Sequence, residues 1–188
     1  MINFDKVFLG SSSAGKLAEY ASFGLKLKQK TLEDAPEVLG TEEEVIIYKA
    51  LNFGENILVE DTSLSVEGAD LGINIKWLLH ELHNNSNFNG KKAVWQVYLG
   101  LVYEGKMYLA ESSLSGVIVS AKANRDSFGF DSVFLPDGES KTLWELKQEG
   151  LKTNHSARKK AIDKLLSGEY SKVLDLEDIP LWTGKYQK

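Results

Sequence analysis

The apolar positions of this chain fall into short runs that switch between strand-like and helix-like spacing. Val7, Phe8 and Leu9 form a compact apolar run that predicts a buried strand over 6–9. The small residues Gly10, Ser11, Ser12 and Ser13 follow, and a helical pattern then runs over 14–23. Strand, small-residue turn and helix, in that order, present backbone N–H groups and a helix N-terminus to an anion. Residues 25–29 alternate as a second strand does. Over 41–52 the acids Glu42, Glu43 and Glu44 precede Val45, Ile46, Ile47 and Leu51. Thr41 as N-cap, with Glu44 as its capping-box partner, predicts a helix there. Ile57, Leu58 and Val59 predict a central strand over 57–60 that ends at Asp61. Ile75, Leu78, Leu79 and Leu82 recur at helical spacing over 75–83.

The middle of the chain changes character. Segments 93–103, 106–113 and 116–121 are rich in Val, Tyr and Leu, and Glu104-Gly105 separates the first two, which predicts a β-meander. A loop over 126–131 leads into Val133-Phe134, and Pro136-Asp137-Gly138 predicts a turn. An amphipathic helix is expected over 156–166. After Gly168 the apolar residues Leu174, Ile179, Leu181 and Trp182 are scattered, and no element can be read. No repeat, low-complexity segment or shift in composition marks a linker. The expectation is one α/β domain over 1–188 with a mixed, partly antiparallel sheet.

Composition narrows the function classes. With 188 residues, 43% hydrophobic and 26% charged, the chain suits a single well-cored globular domain. A net charge of −5 without a long basic run argues against a duplex nucleic-acid partner. A mononucleotide site is not excluded, since it needs only a few lysines and a metal. The absence of cysteine rules out a disulfide framework and a thiolate zinc site, and is compatible with a reducing cytoplasm. The first residues, Met1-Ile2-Asn3-Phe4-Asp5, do not read as a signal peptide. No apolar stretch reaches the roughly 18–20 residues that cross a bilayer. A soluble cytoplasmic protein with no membrane partner is expected.

Four groups of residues carry candidate chemistry. Ser11, Ser12 and Ser13, with Lys16 inside the helix start, suit a phosphate cradle, although a serine-capped helix with a solvated lysine has the same pattern. The spacing is not that of a Walker P-loop. Glu37, Glu44 and Glu60-Asp61 are carboxylates on a loop, a helix start and a strand end, a mixture that suits Mg²⁺. For Glu42 to Glu44 the alternative is a solvated helix start favoured by the macrodipole. Ser127-Phe128-Gly129-Phe130-Asp131 offers two aromatics for stacking on a base and an acid for its edge; two core aromatics around a tight turn fit equally. Lys152, Ser156, Arg158, Lys159 and Lys160 crowd cations at a helix start, either for an anionic ligand or as a basic solvated face. His80, His83 and His155 have no partners at metal-ligand spacing, and no Gly-x-Ser-x-Gly motif occurs.

The order of these groups resembles the inosine triphosphate pyrophosphatase family. The resemblance rests on Val59-Glu60-Asp61-Thr62-Ser63-Leu64, Ile75-Lys76-Trp77-Leu78-Leu79 and the run from Phe128 to Gly138, with matches in order from Leu9 to about Leu166. It implies a two-lobed α/β fold with a long central mixed sheet flanked by helices, a homodimer, and Mg²⁺-dependent hydrolysis of non-canonical purine nucleoside triphosphates to monophosphate and pyrophosphate. It places the triphosphate on Ser11, Ser12, Ser13 and Lys16, with Lys49 and Lys76 on the phosphate side. The metal falls to Glu37 and Asp61, with Thr62 beside them and Glu44 as a further acid. The base and sugar region maps onto Phe128, Gly129, Phe130 and Asp131, and the closing cations onto Lys152 and Arg158.

Two departures stand out. Ser11 and Ser13 replace the family's usual threonine and asparagine, which keeps hydroxyls but loses an amide arm. The family's Ser-His-Arg becomes Ser156-Ala157-Arg158, and alanine cannot donate to the 6-oxo group that the histidine recognises. The alternatives are therefore the same chemistry on another modified nucleotide, or a non-catalytic nucleotide-binding protein.

Overall fold

The computed structural model describes residues 2–30, 36–69, 86–120 and 129–187. The expected helix over 75–83, with Lys76, His80 and His83, lies outside them, as does Phe128. Two compact units are present: Met1–Asp61, Val97–Ser112 and Arg158–Lys188 form one, and Thr62–Gln96 with Ser113–Ala157 form the other. The elements in chain order are β1 (Phe8–Gly10), α1 (Ala14–Ser22), β2 (Lys28–Lys30), α2 (Glu42–Phe53), β3 (Ile57–Val66), β4 (Lys92–Tyr103), β5 (Lys106–Ile118), β6 (Phe134–Pro136), α3 (Leu143–Gln148), α4 (Ala157–Ser167) and β7 (Lys172–Asp175). The described strands make one seven-stranded mixed sheet in the order β2-β1-β3-β4-β5-β6, with β7 also paired to β5.

In the first unit β2, β1 and the start of β3 run parallel, with Leu9 level with both Gln29 and Leu58. Leu9, Leu58 and Val59 are fully buried, the signature of parallel strands covered on both faces. α2 starts in the expected capping box, where Thr41 and Glu44 satisfy each other's backbone N–H groups. Its Ile46 and Ala50 press onto β4 at Gly100, where a Cβ would stand 3.0 Å and 3.2 Å from those side chains. A bulkier residue there would push the helix away. Ile46, Ile47, Ala50, Ile57, Val59, Val102, Met107 and Leu109 form the core. β4 turns into β5 at Glu104-Gly105, both with positive φ (49° and 75°), the geometry that a two-residue hairpin requires.

In the second unit Trp95, Phe130 and Phe134 pack ring against ring, with centroids 5.5 Å and 5.8 Å apart. α3 begins in a second capping box, Thr142 with Glu145.

Several expectations are corrected. β3 does not end at Asp61: the continuous apolar run gives way to the alternation Ser63-Leu64-Ser65-Val66, which keeps Leu64 and Val66 buried and extends the strand. The segments 106–113 and 116–121 belong largely to one strand, β5. The strand runs through 114–115 and Gly116 without interruption. A Cβ there would lie 2.4 Å from the Leu135 carbonyl oxygen, so glycine admits the close approach of β6. The first strand is shifted to Phe8–Gly10 because Asn3 caps a 3-10 turn over Phe4–Lys6. Helix α3 and strand β7 were not expected.

Candidate functional site

The first unit holds a cavity of about 170 Å³ at the end of β1, lined among others by Ser11, Ser12, Lys16, Glu37, Lys49 and Glu60. That is below the roughly 300–1,000 Å³ of a typical small-molecule pocket, a size for part of a ligand. Topology explains its position. β1 stops at Gly10 while its parallel neighbour β3 runs on, so Glu60 and Asp61 stand just beyond the carboxyl end of β1, where open α/β sheets receive ligands. The loop after β1 is short and locally bonded. Ser11 Oγ accepts from the Ser13 N–H at 3.1 Å, and Ser13 Oγ caps α1 by accepting from the Lys16 N–H at 3.3 Å. Ser12 is exposed, and its hydroxyl bonds to none of the described residues.

Two clusters of charge meet this cavity. In the first, Lys49 Nζ lies 2.7 Å from Glu37 Oε1 and 3.7 Å from Asp61 Oδ1, so one ammonium spans two carboxylates from a loop and a strand. All three side chains are partly exposed. Burial is the main cause that raises the Asp61 pKa above the ordinary carboxylate range. Lys49 opposes the shift, and the negative charges of Glu37 and Glu60 add to it.

The second cluster is buried. Glu60, whose side chain is 1% exposed, accepts from Arg158 Nε at 2.8 Å, Arg158 Nη2 at 2.9 Å and the Tyr20 hydroxyl at 2.9 Å. Arg158 Nη1 also donates to Glu19, and Lys16 Nζ approaches Glu60 Oε1 at 3.2 Å. Burial alone would weaken the Arg158 charge. Glu60, acting by charge and hydrogen bond, and Glu19 outweigh it and hold the guanidinium protonated. Burial, and next the Glu60 charge, push the Tyr20 phenol far above its usual range.

The remaining expected residues stand elsewhere. Glu44 is occupied by the α2 cap, accepting from the Thr41 N–H at 2.8 Å. Thr62 follows Asp61 in β3, half-buried. In the second unit Lys152 Nζ donates to Asp131 Oδ2 at 2.7 Å, and both side chains are buried. Phe130 is in the aromatic core, and Gly129 turns with φ 58° before it. Ala157 is fully buried, and His155 is paired with Glu139 at 3.1 Å. No motif in the sequence singles out Glu19 and Tyr20. Their signal is their place on α1, three and four residues after Lys16 and so on its helix face.

Magnesium is implied by the resemblance, and the residues present fit it. Mg²⁺ prefers oxygen ligands, keeps several waters and takes one or two carboxylates plus substrate phosphates. Glu37 and Asp61 provide that pair, both within reach of the Lys49 ammonium. No group of three or more His, Cys, Asp or Glu side chains among the described residues makes an all-protein cage.

The chain matches the model of the Ham1 family over residues 7–168. It is 34% identical over 176 residues to an inosine triphosphate pyrophosphatase of Yarrowia lipolytica, covering 82% of this chain and 90% of that one. It is 29% identical over 188 residues to a dITP/XTP pyrophosphatase of Flavobacterium johnsoniae, covering 86% and 96%. The Ham1 protein of Staphylococcus aureus shares its fold, with a TM-score of 0.62, 22% identity, and coverage of 87% and 98%.

Proposed function

The chain belongs to the Ham1 family, and from that premise we propose that it is a Mg²⁺-dependent pyrophosphatase of non-canonical purine nucleoside triphosphates, with Glu37 and Asp61 as the metal-holding carboxylates. The observation that supports this most is the Lys49 ammonium spanning Glu37 and Asp61 beside the loop after β1. Ser11, Ser12 and Lys16 hold the phosphate chain, using hydroxyls, the helix start and one positive charge. Bound Mg²⁺ supplies charge neutralisation for the phosphate oxygens. Water oxygen bonds to the α-phosphorus, the bond to the bridging oxygen of pyrophosphate breaks, and the carboxylate cluster takes the water proton. Lys16 and Lys49 offset the charge gathered on the leaving pyrophosphate, so positioning and electrostatics carry the rate. Phosphoryl chemistry of this kind needs no nucleophilic side chain.

A second reading changes the base. Ala157 is a buried methyl group with no donor for a 6-oxo purine, and the His155 Nε2 is taken up by Glu139. Under this reading the same hydrolysis acts on another modified nucleotide. A panel of canonical and modified nucleoside triphosphates with Mg²⁺, scored for pyrophosphate and monophosphate, tests both. Highest kcat/KM on inosine or xanthosine triphosphate supports the first, and a preference for another base supports the second. Release of inorganic phosphate, or binding without turnover, rejects the chemistry itself.

A further inference from the structure

The tail beyond the family match closes over the loop that carries Glu37. β7 adds antiparallel to the start of β5, and Leu174, Leu176 and Ile179 then pack against the core that α2 covers. Pro180 accepts from the Tyr48 hydroxyl at 2.7 Å, and the Trp182 ring meets the Tyr48 ring at 5.1 Å. Trp182 Nε1 donates to the Lys185 carbonyl at 3.0 Å, turning the chain back on itself. Residues 185–187 then run antiparallel to 37–39. Leu39 N–H donates to Lys185 O at 2.8 Å, Gln187 N–H to Glu37 O at 2.8 Å, and Gln187 Nε2 to Val38 O at 3.1 Å. Gly40 leaves room for the arrangement: a Cβ there would come within 3.1 Å of the Trp182 ring.

These contacts have one common object. The carbonyls of Glu37 and Val38 and the Leu39 N–H are fixed by the tail, while the Glu37 side chain reaches Lys49. Val38 is buried, so the loop is pinned on one side by the core and on the other by residues 185–187. A loop carboxylate that was not held would have to be ordered each time a cation bound, and the entropy of ordering would weaken binding. We propose that the C-terminal segment is a positioning strap, with Gln187 as its clasp, that presets Glu37 for the cation. The proposal rests on Glu37 being a metal carboxylate as read above.

The test uses the full chain and Gln187→Pro, which removes both the amide donor and the side-chain amide at the strap's end. Gln187→Ala, which keeps the backbone donor, is the milder second variant. Amide exchange at Leu39 reads the strap, calorimetric titration with Mg²⁺ alone reads the site, and turnover against Mg²⁺ concentration reads the reaction. In Gln187→Pro the Leu39 amide exchanges faster and Mg²⁺ binds at least about tenfold more weakly, as when outer supports of a metal site are removed. Turnover then recovers at high Mg²⁺, a rescue that general loss of structure would not show. Gln187→Ala moves the same readouts less. Faster exchange with unchanged Mg²⁺ affinity overturns the strap as a positioning device. Glu37→Gln separates the two levels: if it binds Mg²⁺ like the wild type, the ligand reading itself fails, whatever the strap does.

Discussion

Glu60 and Asp61 are neighbours on one strand, yet they live under opposite regimes. Glu60 is saturated: Arg158 grips it with two hydrogen bonds, Tyr20 adds a third and Lys16 approaches from the loop side. Asp61 has the Lys49 ammonium, shared with Glu37, at 3.7 Å, feels Lys16 from further off, and keeps a quarter of its side chain open. The difference separates two uses of buried charge. A carboxylate whose acceptor sites are filled by the protein is part of the scaffold and orients what surrounds it. A carboxylate whose burial, helped by neighbouring carboxylates, outweighs the ammonium groups around it carries unfavourable charge that an incoming cation relieves.

The comparison breaks most severely at Arg158. Arg158→Met leaves Glu60 buried, and Glu19 half-buried, without their main partner, and about 3–5 kcal/mol of stability is lost, as expected when one half of a buried pair is removed. Denaturant unfolding measures it, and a change below about 1 kcal/mol would show that the pair is not a scaffold. Asp61→Asn acts on function instead. It lowers turnover by at least about 100-fold in Mg²⁺ while the far-ultraviolet spectrum is unchanged. Near-normal turnover would remove Asp61 from the chemistry.

The smallest effect is the most diagnostic. Because the folded state raises the Asp61 pKa, the neutral form is favoured in the fold. The stability this contributes is fully present below the ordinary aspartate pKa, about 3.9, and is lost as pH rises through the raised value. Metal-free Asp61→Asn is therefore slightly more stable than wild type at neutral pH, and the gap closes as pH falls toward the ordinary carboxylate range. Added Mg²⁺ reverses the order by stabilising only the wild type. Melting temperatures across pH, with and without Mg²⁺, check the sign. A wild type more stable than the variant without metal would contradict it.

What could be read from the sequence follows the range of the interactions involved. α2 was legible because its cap and its apolar spacing are local, and the same logic would have found α3 from Thr142 and Glu145. A charged residue interrupts the apolar run at Asp61, so the sequence pattern ends β3 there, and only the later alternation shows that the strand continues. The sequence divides β5 between 113 and 116, since a glycine that admits a neighbouring strand looks the same as one that starts a new segment. The tail was unreadable because Leu174, Leu176 and Ile179 have meaning only against a core built elsewhere. In the site, motif order points to Glu37, Lys49 and Asp61, and the structure brings them together. The Glu60–Arg158–Glu19 cluster was hidden because its partners are 98 and 139 residues apart. Phe130 and the Asp131–Lys152 pair fill the second unit's interior, which a pattern of residue types cannot distinguish from a base-binding loop.

The outer edge of β5 has a consequence for the life of the protein at high concentration. That edge is divided between two short strands, β7 over Lys106–Leu109 and β6 over Gly116–Ile118. Between them the Ser171 hydroxyl accepts from the Glu111 N–H and Lys164 donates to the Glu111 carbonyl. A long, flat strand edge is a template on which another chain can add itself. Here the same tail that reaches the Glu37 loop also leaves little of that template open, so shortening it would be expected to promote self-association.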